Sequence, residues 1–119
     1  MENILEKEPV KRVKEFIIKF DPKLKVLVLD TTARTAKDAA ESLGCEVGAI
    51  VKSLVFRADD TFLICLVAGD KRCSLNKLKK VISKKDVCMA NADEVKVNTG
   101  FSIGGVAPIA HLKKLNILI

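Results

Sequence analysis

The stretch IVKSLVFRADDTFLICLVAG, residues 50–69, reads as two apolar runs about a turn. Ile50 to Phe56 resembles β-structure, Ala58-Asp59-Asp60 breaks the pattern, and Phe62 to Val67 resumes it. Strand, turn and strand in that spacing predict a β-hairpin. Side chains alternate along a strand, so Ile50, Lys52, Leu54 and Phe56 share one face and Val51, Ser53 and Val55 the other. Lys52 therefore stands among the bulkier apolar side chains. An unpaired ammonium in a dry core is costly, so this one must pair with an acid, snorkel to the sheet edge, or line a pocket for an anionic or carbonyl-bearing ligand. Within the segment itself snorkelling is the simplest of the three, since the long stem reaches water easily.

Working outward, Val10, Val13, Phe16, Ile17 and Phe20 repeat at helical spacing after Pro9, which predicts an amphipathic helix ending near Asp21-Pro22. LKVLVL, residues 24–29, reads as a strand buried on both faces. Thr35 with Asp38 resembles a capping box, Ala36, Ala39, Ala40 and Leu43 form a stripe, and Gly44 supplies a stop, which predicts a helix over about 36–43. Beyond the hairpin, Ser74 is a natural N-cap for a helix packing on Leu75, Leu78, Val81 and Ile82. A short strand at 87–90, a helix at about 92–98 between Asn91 and Gly100, a glycine-rich loop and the terminal LNILI, residues 115–119, complete the chain. Helices and strands mix without a strict βαβ rhythm. The expected architecture is an α/β (α+β) fold, one domain over 1–119, with a mixed and strongly curved sheet flanked by helices.

The 119 residues are 49% hydrophobic, enough for one core. The longest apolar run, FLICLVAG, soon meets Asp70, Lys71 and Arg72 and falls short of a membrane span. The N-terminus lacks the features of a signal peptide, so the cytoplasm is the expected compartment. Cys45, Cys65, Cys73 and Cys88 form no CxxC pair and His111 is the sole histidine, so zinc-ligand spacing is missing and no metal is expected. Cys65, in an apolar strand-like run, and Cys88, beside Met89, fit reduced thiols acting as small core hydrophobes.

Of the net charge of +6, residues 71–85 account for more than the whole: Lys71, Arg72, Lys77, Lys79, Lys80, Lys84 and Lys85 stand there without an acid. Such a patch can attract a phosphate backbone by releasing counterions, or it can be a solvated face that aids solubility.

A second candidate for chemistry is TGFSIGGVAPIAH, residues 99–111. Gly104-Gly105 permits close backbone approach and Pro108 fixes the chain after it, so the loop can aim amide N–H groups at one point, as oxyanion sites do; a tight connection is the plainer alternative. Phosphate-loop and dinucleotide signatures are missing, so no ATP, NAD or other cofactor is implied. No GxSxG surrounds a serine, and without Trp or Tyr there is no aromatic platform for single-stranded nucleic acid.

Taken together, RTAKDAAESLGCEVGAIVKSLVF, LVAGDKRCSLNKLKKV, VCMANADEV and TGFSIGGVAPIAH resemble, in order from about Thr31 onward, the YbaK/prolyl-tRNA-synthetase-associated domain family of editing domains that hydrolyse mischarged aminoacyl-tRNA. The resemblance implies that Lys52 is the substrate-anchoring lysine and that Gly104 and Gly105 orient the aminoacyl carbonyl and the attacking water. The candidate substrate-binding residues are Thr35, Ser53, Gly69, Val106, Pro108 and His111, and Thr31, Thr32 and Thr35 near the entrance are candidates for choosing the amino acid. The resemblance gives Lys71, Arg72, Lys77, Lys80 and Lys84 a role on tRNA phosphates.

An aminoacyl ester is already activated, so its hydrolysis needs placed water and oxyanion donors and no triad. Some relatives are thought to use a group on the substrate amino acid itself. Editing exists because one methylene discriminates by only about 1–3 kcal/mol. The resemblance thus implies a trans-editing deacylase for Cys-, Ala-, Ser- or Thr-charged tRNA, of prolyl type first, with a synthetase as a further partner. Two departures stand against it. The family's usual C-terminal strand, turn and helix are missing, so the chain reads as shortened, or a partner covers the LNILI edge. Ala110 also stands where similar sequences have glycine. A non-catalytic relative that binds tRNA or a synthetase is the alternative.

Overall fold

The computed structural model describes residues 4–29 and 35–119. Its centre is the hairpin: β1 (Val51–Ala58) and β2 (Thr61–Ala68) pair antiparallel from Val51 opposite Ala68 to Ala58 opposite Thr61. Asp59 makes the turn at φ 54°, a left-handed geometry that aspartate tolerates better than most residues. A short β3 (Val87–Met89) pairs antiparallel with the other side of β1, and β4 (Asn116–Leu118) lies parallel to β2. Among the described residues the sheet is mixed, open and four-stranded, in the order β3-β1-β2-β4. With its helices it makes a mixed α+β fold.

Each helix begins where the side-chain chemistry predicts. In α1 (Glu8–Phe20) Pro9 sits in the first turn, where a missing N–H costs nothing. The hydroxyl of Thr35 accepts from the Asp38 amide to start α2 (Ala36–Leu43), and Gly44 ends it at φ 68°. Ser74 accepts from the Lys77 amide to start α3 (Leu75–Ile82). Asn91 and Glu94 exchange side-chain and backbone hydrogen bonds as a full capping box for α4 (Ala92–Thr99).

The alternation along β1 sorts the core into two layers. On the face of Lys52, residues Phe56 and Ala58 meet Leu63 and Cys65 of β2, Leu78 of α3 and Val87 of β3. On the other face Val55 and Ile64 pack with Ala90 and with Val95 of α4. Phe56 and Ile64 are 2% and 0% exposed, so both faces of the hairpin bury large side chains.

Three expectations need correction. Residues 24–29 form no strand, and Leu27 is 70% exposed: an apolar run signals burial only if some neighbouring surface covers it, and among the described residues no strand pairs with this one. Val81 is 71% exposed, because α3 turns Leu78 to the sheet and leaves Val81 with the lysines. In α1 no residue is buried, and Phe16 and Phe20 face outward while Val10, Val13 and Ile17 are half-buried.

Candidate functional site

The last turn of the hairpin toward α3 brings β1's beginning beside the end of β2. Gly69 donates its amide to the Ile50 carbonyl at 2.7 Å, and a Cβ there would stand 2.4 Å from the Val47 carbonyl oxygen. Only glycine allows this approach, which closes the 3₁₀ turn Val47–Ala49 against β2 and forms one rim of a cavity.

That cavity measures about 730 Å³. Its floor is mainly the Val51, Ser53 and Val55 face of β1, with Ala90 and Val95 beside it. Thr35, Ala36 and Ala39 of the α2 start form one wall, and Ile103, Gly104 and Val106 of the glycine-rich loop form another. The size is that of a small-molecule site, and the mostly apolar lining leaves orientation to a few polar atoms.

Lys52 supplies one of them. It is half-buried on the cavity rim, and its Nζ donates to the Lys71 carbonyl at 2.5 Å. An ammonium has three donors, so this bond fixes the head and leaves two for a ligand. Ser53 supplies a second: its Oγ is buried without a hydrogen-bond partner, on the strand face that floors the cavity. A buried hydroxyl without a partner is destabilising, and a ligand oxygen or nitrogen would satisfy it.

The loop supplies the rest. Gly105 donates to the Ser102 carbonyl at 2.9 Å, closing a turn in which Gly104 stands third at φ +82°. A type II turn needs that positive φ, and glycine reaches it without strain. The Gly105 N–H is thereby engaged. Among the described residues the amides of Gly104 and Val106 have no protein acceptor, and both residues line the cavity.

The residues expected around a substrate thus divide. Thr35, Lys52, Ser53, Gly69, Gly104 and Val106 come together in this cavity. Pro108 and His111 line a separate groove of about 580 Å³ against α1, shared with Arg12, Phe16 and Lys19. His111 Nε2 lies 2.7 Å from the Ala107 carbonyl oxygen, and its ring meets Phe101 edge-on at 6.0 Å. The basic residues stand outside the cavity: Lys71, Arg72, Lys77, Lys80 and Lys84 are exposed, and Lys84 pairs with Asp59 at 3.7 Å. Thr31 and Thr32 lie outside the described residues. Met89, Ala90, Val95 and Ile103 join the lining unforeseen, since an apolar side chain in a short element gives no sign of whether it faces a core or a cavity.

No three His, Cys, Asp or Glu side chains among the described residues are grouped to hold a metal ion. No described helix is long and apolar enough to cross a membrane.

The profile of the aminoacyl-tRNA editing domain matches residues 30–119. The chain belongs to that family. The editing domain is 34% identical over 91 residues to the proline–tRNA ligase of Caldicellulosiruptor bescii, and 41% identical over 75 residues to that of Lactobacillus gasseri. These stretches cover 76% and 63% of the chain but only 16% and 13% of the ligases, so it spans about a sixth of the length of the curated relatives it matches. Among solved structures, a candidate trans-editing enzyme for prolyl tRNA synthetase superposes with a TM-score of 0.86 at 38% identity, over 93% of this chain and 71% of that one. The editing domain's matched region begins before Thr35 and takes in every cavity-lining residue, whereas α1 precedes it.

Proposed function

We propose that this editing domain acts in trans as a deacylase, hydrolysing the ester of a mischarged aminoacyl-tRNA, with prolyl-type tRNA the first candidate. The observation that carries the reading is one cavity joining the Lys52–Ser53 end of β1 to the Gly104–Val106 turn. Family membership and the likeness to proline–tRNA ligases support it.

The chemistry asks little of the side chains. Water attacks the aminoacyl carbonyl carbon, the carbonyl oxygen gains negative charge, and the bond to the ribose oxygen breaks. One water proton ends on the ribose hydroxyl, and the amino acid leaves as a carboxylate with release of the other. Amides at Gly104 and Val106 would donate to the developing oxyanion, where fixed donors in a half-closed site count most. Lys52 would hold a ribose or phosphate oxygen through the donors that Lys71 does not occupy. The lysines of α3 would take tRNA phosphates outside the cavity, and the reaction would run in the cytoplasm, where tRNA is charged.

The test is amino acid release from tRNAs charged with Cys, Ala, Ser or Thr. Hydrolysis of at least one is expected, with kcat/KM reduced about 10- to 100-fold in Lys52→Ala, the usual scale for losing a charged hydrogen bond to a substrate oxygen. Turnover insensitive to that substitution would remove Lys52 from the mechanism. A second reading, a non-catalytic module that binds tRNA or a synthetase, is favoured by the engagement of the Lys52 head with the Lys71 carbonyl. Affinity for tRNA with release of none of the four amino acids would select it.

A further inference from the structure

A side chain from α1, ahead of the matched region, reaches both ends of the glycine-rich segment. The Arg12 guanidinium donates through Nε to the Ala110 carbonyl at 2.7 Å and through Nη2 to the Thr99 carbonyl at 3.2 Å. Its Nη1 donates to both carboxylate oxygens of Glu8, at 2.7 and 2.8 Å, and its Cζ lies over the Phe101 ring, 4.6 Å from the centroid. The backbone is drawn together at the same neck, where Leu112 donates to the Thr99 carbonyl and Lys113 to the Asn98 carbonyl, each at 3.2 Å.

Two further observations say that this is more than a helix resting on a surface. Ala110 stands at φ 63°, a left-handed conformation that a Cβ opposes, and it is the carbonyl of this residue that Arg12 holds. Helix α1 buries no residue of its own, so filling the core is not its contribution. A planar fork that bonds two carbonyls and stacks on an aromatic face at once is a task for arginine rather than lysine.

We propose that Arg12 is a positioning residue: by clamping Thr99 and Ala110 it fixes the neck of the loop and thereby where the Gly104 and Val106 amides stand. Its effect on turnover rests on the deacylase reading; its effect on the loop does not. The strained Ala110 is the spring and Arg12 the catch. Without the catch the neck relaxes, the amides drift from the cavity wall, and donors needed in the transition state are misplaced while the rest of the cavity still binds.

The experiment uses the full chain with Arg12→Met and Arg12→Lys, each with and without Ala110→Gly. Hydrogen exchange of the Leu112 and Lys113 amides reads the neck directly. Steady-state rates on whichever mischarged tRNA the wild type hydrolyses read the amides. Arg12→Met is expected to speed both exchanges and lower kcat roughly tenfold, the scale of one non-glycine residue leaving left-handed backbone, with KM within about twofold. Arg12→Lys recovers only part. Adding Ala110→Gly removes the strain and brings kcat of the Arg12→Met chain to within about threefold of Ala110→Gly alone.

Unchanged neck exchange and kcat in Arg12→Met would overturn the proposal. So would a fall in kcat that Ala110→Gly leaves in place while the neck amides keep their protection. If Arg12→Met does not fold, the Arg12→Lys pair makes the same comparison. If the wild type hydrolyses no ester, the deacylase reading fails by itself and the exchange measurement alone decides the role of Arg12.

Discussion

The two faces of one hairpin carry different roofs. Over Leu54, Phe56 and Ala58 lies α3, whose Leu78 and Ile82 enter the layer, and that face is sealed. Over Val51, Ser53 and Val55 the cover is α4 at one end and the glycine-rich loop at the other, and under the loop a cavity opens. A helix delivers side chains at every turn to fill the space beneath it, whereas a glycine-rich loop delivers backbone and leaves a gap lined with amides. Alternate residues of the same strand therefore serve stability and chemistry separately. Lys52 is the exception, since it belongs by alternation to the sealed face but lies at the strand's end, where its head reaches the Lys71 carbonyl on the rim.

The strongest way to break this contrast is to remove one side chain from each layer. Phe56→Ala is expected to cost about 3–5 kcal/mol in denaturant unfolding, because the site is dry and tightly surrounded. Val106→Ala should cost less, about 1–2 kcal/mol, because its half-buried side chain packs on the Val55–Ile64 layer from one side and borders the open cavity on the other. Equal losses would mean that the loop side is packed as a core and the cavity is no true division between the faces.

The sealed layer was the more legible of the two. Alternation in 50–56, an Asp-Asp turn and three polar N-caps are local signals, each decided within a few residues, and the hairpin and the helices α2, α3 and α4 follow from them, while α1 follows from the period of its apolar residues after Pro9. The run 24–29 misled because hydrophobicity announces burial without naming the partner that provides it, and Leu27 is left 70% exposed. On the cavity side the glycine pair was visible, but which amide is left over was not: Gly105 is engaged by Ser102, a matter of turn type that rests on one dihedral angle. Lys52 could be assigned to a face, whereas the carbonyl that holds its head comes 19 residues later. Arg12 gave no signal at all, since its bonds to Ala110 and Thr99 span 98 and 87 residues. Contacts of that range arise from the fold and leave no local pattern.

The faces can next be told apart by what approaches them. The lysines that α3 displays lie across the sheet from most of the cavity lining, so a tRNA that uses both must pass the Lys71 end of the hairpin. Reversing Lys77, Lys80 and Lys84 to Glu should weaken tRNA binding and flatten the dependence of log affinity on log salt by roughly 2–3, given about 0.7–0.9 per phosphate contact. The readout is a binding titration across salt concentrations. An unchanged slope would return these lysines to the role of a solvated face and leave the cavity to be reached from the loop side alone.

The smallest effect tests whether the sealed face is dry. Cys65 lies in that layer with its Sγ 3.8 Å from the Cys73 Sγ, and burial, helped by the neighbouring thiol, pushes its pKa up from 9.0 to about 11. Because the folded chain holds this proton more tightly than the unfolded chain, the stability it contributes is intact below about pH 9 and is lost as pH rises toward 11. The other ionisable groups are common to wild type and Cys65→Ala, so the difference between the two unfolding curves isolates the thiol. That difference should shift against the wild type over this range. If the curves run parallel, the thiol titrates alike in both states, water reaches Cys65 in the folded protein, and the face under α3 is no drier than the one under the loop.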